Sequence, residues 1–321
     1  MPRDLHPRQL RGFVAVAETL HFGRAATRLH IAQQALSRDV RALERALGTA
    51  LFHRSTRSVE LTPDGRRLLP KVRRLLALHD EIATAGESRA LLVDLNSEGG
   101  VETTPERVLA AARSARPDCE LLARFHGGLT DAARALVEHR LDASFGRFAG
   151  LPAALRAHLV HRPVRLERLA VFLPAGHPLA ARAEVPLAAL SGHPVDVCAG
   201  NPGTAEWTDL GLQLFGAHGL EAAPGRERPV GIGEFAHYLV RHGDPVLTTV
   251  DAPAVAGGVV RPLVDPVPLS LLGLVHRPGP LHPGLAALHA AAAELAAEQG
   301  WLRRPPGSWL PREDAALLGA G

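Results

Sequence analysis

Leu36, Val40, Leu43 and Leu47 step by four, three and four, a spacing that lines one side of an α-helix. Gln33, Gln34, Ser37, Arg38, Arg41 and Arg45 fall on the other side. Upstream, Leu10, Phe13, Val14 and Ala17 predict a helix over residues 7–20, and residues 22–29 form a short second helix containing Ala25 and Ala26. A break at residues 30–32 separates it from the third, which Gly48 ends. Two helices joined by a tight turn, the second polar on its outer face, make a helix-turn-helix. LFHR (51–54) and SVELT (58–62) then alternate around Ser55-Thr56-Arg57, a two-stranded wing with a basic tip. Thr62-Pro63-Asp64 opens a further helix predicted to reach about Glu87. Leu68, Leu69, Val72, Leu75, Leu76 and Ile82 stripe one side of it, and a matching helix from a second copy is the expected cover.

From Leu91 onward short apolar strands alternate with alanine-rich helices, an α/β order. Strands are predicted at 91–95, 119–125, 142–146, 158–164, 169–173, 195–198, 245–250 and 269–275. Helices are predicted at 105–115, 131–139, 210–218, 234–241 and 283–299. The segment after Trp301, RRPPGSWLPRED, is rich in proline and charge and is expected to lie outside the fold as a flexible tail, residues 303–321.

With 321 residues and 46% hydrophobic content, the chain has material for more than one buried core. No run approaches the ~20 apolar residues of a membrane helix, and MPRDLHPRQLRG has no apolar signal core. Cys119 and Cys198 are the two cysteines and form no CxxC, which fits a reducing cytoplasm and no structural zinc. The net charge of +3 conceals a division. Residues 1–74 hold 15 basic against 6 acidic side chains, so the remainder is acidic. A basic head on an acidic body is the footprint of a polyanion-binding module.

Gln33, Ser37, Arg38 and Arg41 recur at helical spacing and are placed to enter a major groove together, with glutamine suited to adenine and arginine to guanine. Gln34 flanks them, and Arg54 and Arg57 of the wing are placed for phosphates or the minor groove. The elements AA (Ala25-Ala26), QxALSR (33–38), LE (43–44), LG (47–48), LFxR (51–54) and LTxxG (61–65) occur here in order. This run closely resembles the DNA-binding domain of LysR-type transcriptional regulators. It departs from that family at His21, where serine is usual, and at Gln34, where proline is usual.

HRLDASFG, LERLAVFLPAGHPLA and EVPLAALSGHPV are similar, in order and spacing, to the family's effector domain. The resemblance implies a winged helix-turn-helix, mainly α, over residues 1–62, and a linker and dimerisation helix over 63–88. It further implies an α/β effector domain of two lobes, like a periplasmic binding protein, over 89–302. Lobe I takes residues 89–166 and 268–302, and lobe II residues 167–267. HGDPVLTTVD stands where the family carries a glycine-rich GLGxxxLP segment. Ligands of such domains sit between the lobes, near strand C-termini and helix N-termini. That nominates Asn96, Ser97, Thr130 and Arg147 on lobe I, and Asn201, Thr204 and Thr248 on lobe II. Glu98 and Glu102 near the mouth predict disfavour for highly anionic ligands.

Other chemistry finds little footing. Residues 231–236 fit GxGxxA, with Asp251 twenty residues beyond Gly231, but the preceding GRERP makes a poor buried strand. GxxxxGK[ST], GxSxG and HExxH are absent, and neither metal nor cofactor is expected. A redox role for Cys119 and Cys198 is disfavoured because both fall in predicted strands. The expectation is a cytoplasmic, non-enzymatic regulator binding promoter or operator DNA and a small-molecule effector. It acts as a homodimer, by resemblance a dimer of dimers, with RNA polymerase a further contact. The rival readings are a ligand-independent DNA-architectural protein and an enzyme with a DNA-binding accessory head.

Overall fold

The structure, a computed structural model, describes residues 5–54, 59–83, 90–96, 103–226, 237–238, 241–279 and 282–319, with backbone alone for Arg54, Ala77 and residues 80–83. The chain divides into two compact units, Met1–Arg89 and Ala90–Gly321.

The first unit orders α1 (Pro7–Thr19), α2 (Phe22–Arg28), α3 (Gln33–Leu47), β1 (Phe52–Arg54), β2 (Val59–Leu61) and α4 (Pro63–Ala83). Leu36, Val40 and Leu43 of α3 are fully buried against Leu10, Phe13 and Val16 of α1. Each such side chain contributes about 1.5–3 kcal/mol by leaving water. A Cβ on Gly12 would lie 2.9 Å from Leu36 Cδ1, so α1 and α3 cross at contact distance. His21 supplies the N-cap of α2, its Nδ1 accepting from Gly23 N at 3.0 Å and Arg24 N at 3.2 Å. The imidazole thus does the work of the serine usual at this position. Glu44 ties α3 to the wing by accepting from Leu51 N at 3.0 Å and Phe52 N at 3.3 Å. β1 and β2 pair antiparallel, with His53 opposite Glu60.

Thr62 caps α4: its Oγ1 accepts from Gly65 N at 3.0 Å and donates to Ala50 O at 2.7 Å. The apolar stripe of α4 divides between two fates. Val72 and Leu76 are buried in the core of the first unit, with Leu68 and Leu69 packed against it. Leu75 and Leu78 remain about half exposed, at 48% and 47%. The first half of α4 is therefore part of the head's core rather than a free-standing linker.

The second unit contains β3 (Leu91–Asp94), α5 (Thr104–Ala115), β4 (Leu121–Arg124), α6 (Leu129–Val137), β5 (Ala143–Gly146), α7 (Ala153–Arg156) and the long β6 (Val160–Pro174). Then come β7 (Val185–Pro186), α8 (Ala205–His218), β8 (Val246–Thr249), β9 (Gly258–Val264), β10 (Leu269–His276), α9 (Pro283–Gln299) and α10 (Arg312–Leu318). The strands run in the order β4-β3-β5-β10-β6-β9-β7, with β8 also on β6. β3 is parallel to β4 and β5, while β10 is antiparallel to β5 and β6.

β6 joins the lobes. Up to Arg168 it pairs with β10, and from Leu169 with β8 and β9. The sequence predicts two strands here, but one continuous strand carries its charged stretch, residues 165–168, through the junction. Lobe I buries Phe145, Leu109, Leu274 and Leu288 on one sheet face, and Leu129, Leu136 and Val275 on the other. Lobe II is centred on Leu169, Val171, Leu210, Leu214 and Phe215.

Two expectations are corrected. Cys198 is not in a strand: it follows the isolated bridges at Val195 and Asp196, with φ 62°. Cys119 precedes β4, and both cysteines are buried with no disulfide between them. The segment after Trp301 is folded, not flexible. Trp309 N donates to Val267 O and Leu269 N donates to Trp309 O, both at 2.9 Å, and Leu310 is buried with Leu166, Leu269 and Leu271. Proline and charge hid a segment whose few apolar residues find partners far back along the chain. Of the predicted helix 234–241, only residues 237, 238 and 241 are described, all helical; the GxGxxA segment lies outside the described residues.

Candidate nucleic-acid interface and interlobe seam

The burial of one side of α3 leaves the other in solvent. Gln33, Gln34, Arg38, Arg41 and Arg45 are exposed and Ser37 is half-buried. Arg38, Arg41 and Arg45 make no ion pair among the described residues. Other arginines of this unit are committed: Arg28 and Arg73 both grip Glu18, at 2.7 and 2.8 Å, and Arg8 holds Asp39 at 2.9 Å. The N-cap of α3 is Ala32, which brings no side-chain hydrogen bond. Donors of its first turn therefore add to the positive end of the helix dipole. An open groove of about 670 Å³ runs beside the helix, lined by Arg38, Arg41, Glu44, Arg45, Gly48, Thr49 and Ala50. The backbone of Arg54 belongs to β1; its side chain and all of Arg57 lie outside what is described.

In the second unit Thr130, Arg147, Asn201 and Thr204 come together where α6 of lobe I meets α8 of lobe II. A Cβ on Gly128 would lie 2.2 Å from Gly203 O and 2.6 Å from Thr204 Cγ2, so only glycine lets the lobes approach this closely. Glu206, in the first turn of α8, crosses the seam. Its carboxylate accepts from Leu129 N at 2.8 Å, Thr130 N at 3.1 Å and the Thr130 hydroxyl. Burial pushes the Glu206 carboxyl up, while these hydrogen bonds pull it down. Arg147 is buried, with Nε on Asp314 at 2.8 Å and a second nitrogen on Asp209 at 2.5 Å and Glu206 O at 3.1 Å. Burial also raises Asp314, against the attraction of Arg147.

Thr130 and Arg147, nominated as effector residues, are engaged here by the chain's own carboxylates. Asn201 and Thr204 are engaged locally. Asn201 Oδ1 accepts from Gly203 N at 2.9 Å, and the Thr204 hydroxyl donates to Asn201 O at 3.2 Å. Asn96, at φ 60°, donates to Phe145 O at 3.2 Å. Thr248 lies in β8 opposite Ala170. Ser97, Glu98 and Glu102 lie outside the described residues. Sequence reasoning missed Glu206, Asp209 and Asp314. An acid in the first turn of a helix reads as dipole compensation, and nothing local reveals that Glu206 binds a helix 76 residues earlier.

A second polar cluster marks the junction of the lobes. One Arg165 nitrogen lies 2.8 Å from both Thr104 Oγ1 and Asp251 Oδ2, and the guanidinium stands over Trp301 at 5.6 Å. Burial pushes the nearby Glu167 up to about 7 against the pull of Arg165. Buried Asp94 accepts from Ser144 Oγ at 2.7 Å and from His126 N at 2.9 Å, with His126 Nδ1 at 3.4 Å. Serine, aspartate and histidine meet here in the wrong order for nucleophilic catalysis, since the serine bonds the carboxylate rather than the imidazole. No group of three or more metal-ligating side chains occurs among the described residues, nor any helix long and apolar enough to cross a membrane.

Residues 7–66 match the family model described as a bacterial regulatory helix-turn-helix protein of the lysR family, and residues 103–297 match the LysR substrate binding domain. YnfL of Escherichia coli K12, an uncharacterized HTH-type transcriptional regulator, is 36% identical over 214 residues, 64% of this chain and 70% of YnfL. IlvR of Caulobacter vibrioides, another HTH-type transcriptional regulator, is 59% identical over 75 residues, 23% of this chain and 25% of IlvR. The crystal structure of full-length CbnR complexed with its target DNA shares the fold, with a TM-score of 0.62 at 22% identity over 90% of this chain and 99% of that one. The second family model alone matches more than half of the chain, and with the helix-turn-helix ahead of it the chain belongs to the LysR family of bacterial transcriptional regulators.

Proposed function

We propose that α3 reads operator DNA through Gln33, Ser37, Arg38 and Arg41, with Gln34, Arg54 and Arg57 holding the backbone. The carrying observation is that α3 buries Leu36, Val40 and Leu43 completely while its exposed Arg38, Arg41 and Arg45 make no ion pair among the described residues. Bidentate arginine–guanine and glutamine–adenine contacts each supply about 1–3 kcal/mol of discrimination. Two copies join through the α4 face bearing Leu75 and Leu78 and address a partly palindromic site. A dimer of dimers is the further assembly, with RNA polymerase its downstream contact and the cytoplasm its location.

A small-molecule effector enters between the lobes and shifts their equilibrium. Asn96, Asn201, Thr204, Thr248 and the Arg165 cluster offer polar groups there. The protein acts by binding rather than turnover, a reading supported by its regulator relatives and by the arrangement at Asp94. Genome-wide mapping of bound DNA tests this reading. Discrete palindromic peaks lost on raising salt support it; salt-insensitive or unpatterned binding contradicts it.

A further inference from the structure

The segment that follows α9 touches three parts of the effector domain at once. On lobe I, Asp314 reaches Arg147, and Glu313 lies 3.8 Å from Arg156. At the junction, Trp309 shares two backbone hydrogen bonds with the start of β10. On lobe II, Trp309 packs against the core and meets the His218 ring edge-on at 6.1 Å. The segment lies beyond residue 297, where the match to the substrate-binding domain ends. It is therefore an addition to the part of this chain that the family model describes.

We propose that residues 308–318 are an interlobe clasp, pinned by Asp314 on Arg147, that holds the two lobes closed without a ligand. Arg147 is the keystone. It leaves the end of β5 on lobe I and receives Asp209 and Glu206 O from α8 on lobe II, and Asp314 from the clasp. Separating the lobes would strip Asp209 and Glu206 O of lobe II from a guanidinium that is 1% exposed, leaving Asp314 of the clasp as its remaining ion-pair partner. One further Arg147 nitrogen and one Asp314 oxygen are buried without a hydrogen bond. Leu310 of the same segment is buried with Leu166, Leu269 and Leu271. A ligand anion reaching Arg147 has to compete with carboxylates already seated there. The clasp rests on the reading of this domain as an effector sensor only for that consequence.

Hydrogen exchange on the full chain tests it. In the wild type under mild denaturant, the seam amides of Leu129 and Thr130 and the clasp amides of Leu269 and Trp309 are expected to open together, with one free energy and one denaturant dependence. Asp314→Asn is expected to speed exchange at Leu129 and Thr130 by at least about tenfold while leaving α3 unchanged. Seam and clasp opening independently in the wild type, or a folded Asp314→Asn chain with unchanged seam exchange, would overturn the proposal. DNA affinity measured in parallel separates this failure from a failure of the regulatory reading, because the variant leaves the head untouched.

Discussion

Glu206 accepts hydrogen bonds from both the backbone N–H and the hydroxyl of Thr130, so a carboxylate of lobe II sits on the N-terminus of a lobe I helix. The favourable end of the helix dipole and three donors meet one buried charge. Replacing Glu206 by alanine leaves those donors in a closed seam without an acceptor. The expected cost is about 3 kcal/mol of second-unit stability, with Glu206→Gln losing roughly half as much. Trp207, Trp301 and Trp309 all lie in this unit and are all the tryptophans of the chain, so denaturant unfolding followed by their fluorescence reads it directly.

The head depends on an unusual cap. His21→Ala removes the acceptor of Gly23 N and Arg24 N and is expected to cost the first unit about 1 kcal/mol, whereas His21→Ser restores most of it. Thermal melts followed by helical circular dichroism, before and after each substitution, measure the difference. Equal melting of all three chains would remove the cap from the account.

Acid acts through a histidine cluster behind lobe I. His289 and His276 face each other at 3.0 Å, and burial first, then neighbouring charge, lowers both, His289 to about 4. A folded value below the unfolded 6.5 means the neutral form is favoured in the native state. The associated stability is complete above pH 6.5 and is lost as pH falls through that value toward 4. Buried Glu206, Asp314 and Asp94 are raised and act with the opposite sign, gaining relative stability on protonation. The clean readout is therefore a difference curve. His289→Gln is expected to unfold at a denaturant midpoint that rises relative to wild type only below about pH 6.5.

Self-association is expected to run through α4. Leu75→Arg together with Leu78→Arg places charge on its exposed apolar positions while sparing Val72 and Leu76 in the core. Sedimentation is expected to show monomers that keep native circular dichroism, and operator affinity is expected to fall with the lost second half-site. Dimers of undiminished stability would place the interface elsewhere.

Much of the head was legible because its determinants are local: the step of Leu36, Val40 and Leu43 fixes the buried side of α3, and Thr62-Pro63 the start of α4. In the second unit β3, β4, β5, β8 and β10 and helices α5, α6, α8 and α9 were legible for the same reason, whereas β7 and β9 were not and the predicted strand 195–198 forms only isolated bridges. Long-range electrostatics was not. Arg147 stands out as a residue beyond a strand end, but Asp314 lies 167 residues away in a segment that reads as a tail. Its helix N-terminus nominates Thr130 as a ligand contact, yet nothing in its neighbourhood announces that Glu206 fills that end. β6 reads as two strands because its charged centre faces a junction between lobes rather than a core.

Selection of duplexes from a random library, run side by side with the full-length wild type and with Arg38→Ala, addresses the recognition face of α3 most directly. The wild type is expected to enrich a partly palindromic site. Arg38→Ala is expected to keep dimerisation and salt-sensitive binding but to lose about 1–3 kcal/mol of preference at one base pair in each half-site. Enrichment of the same site with undiminished preference by both proteins would contradict the assignment.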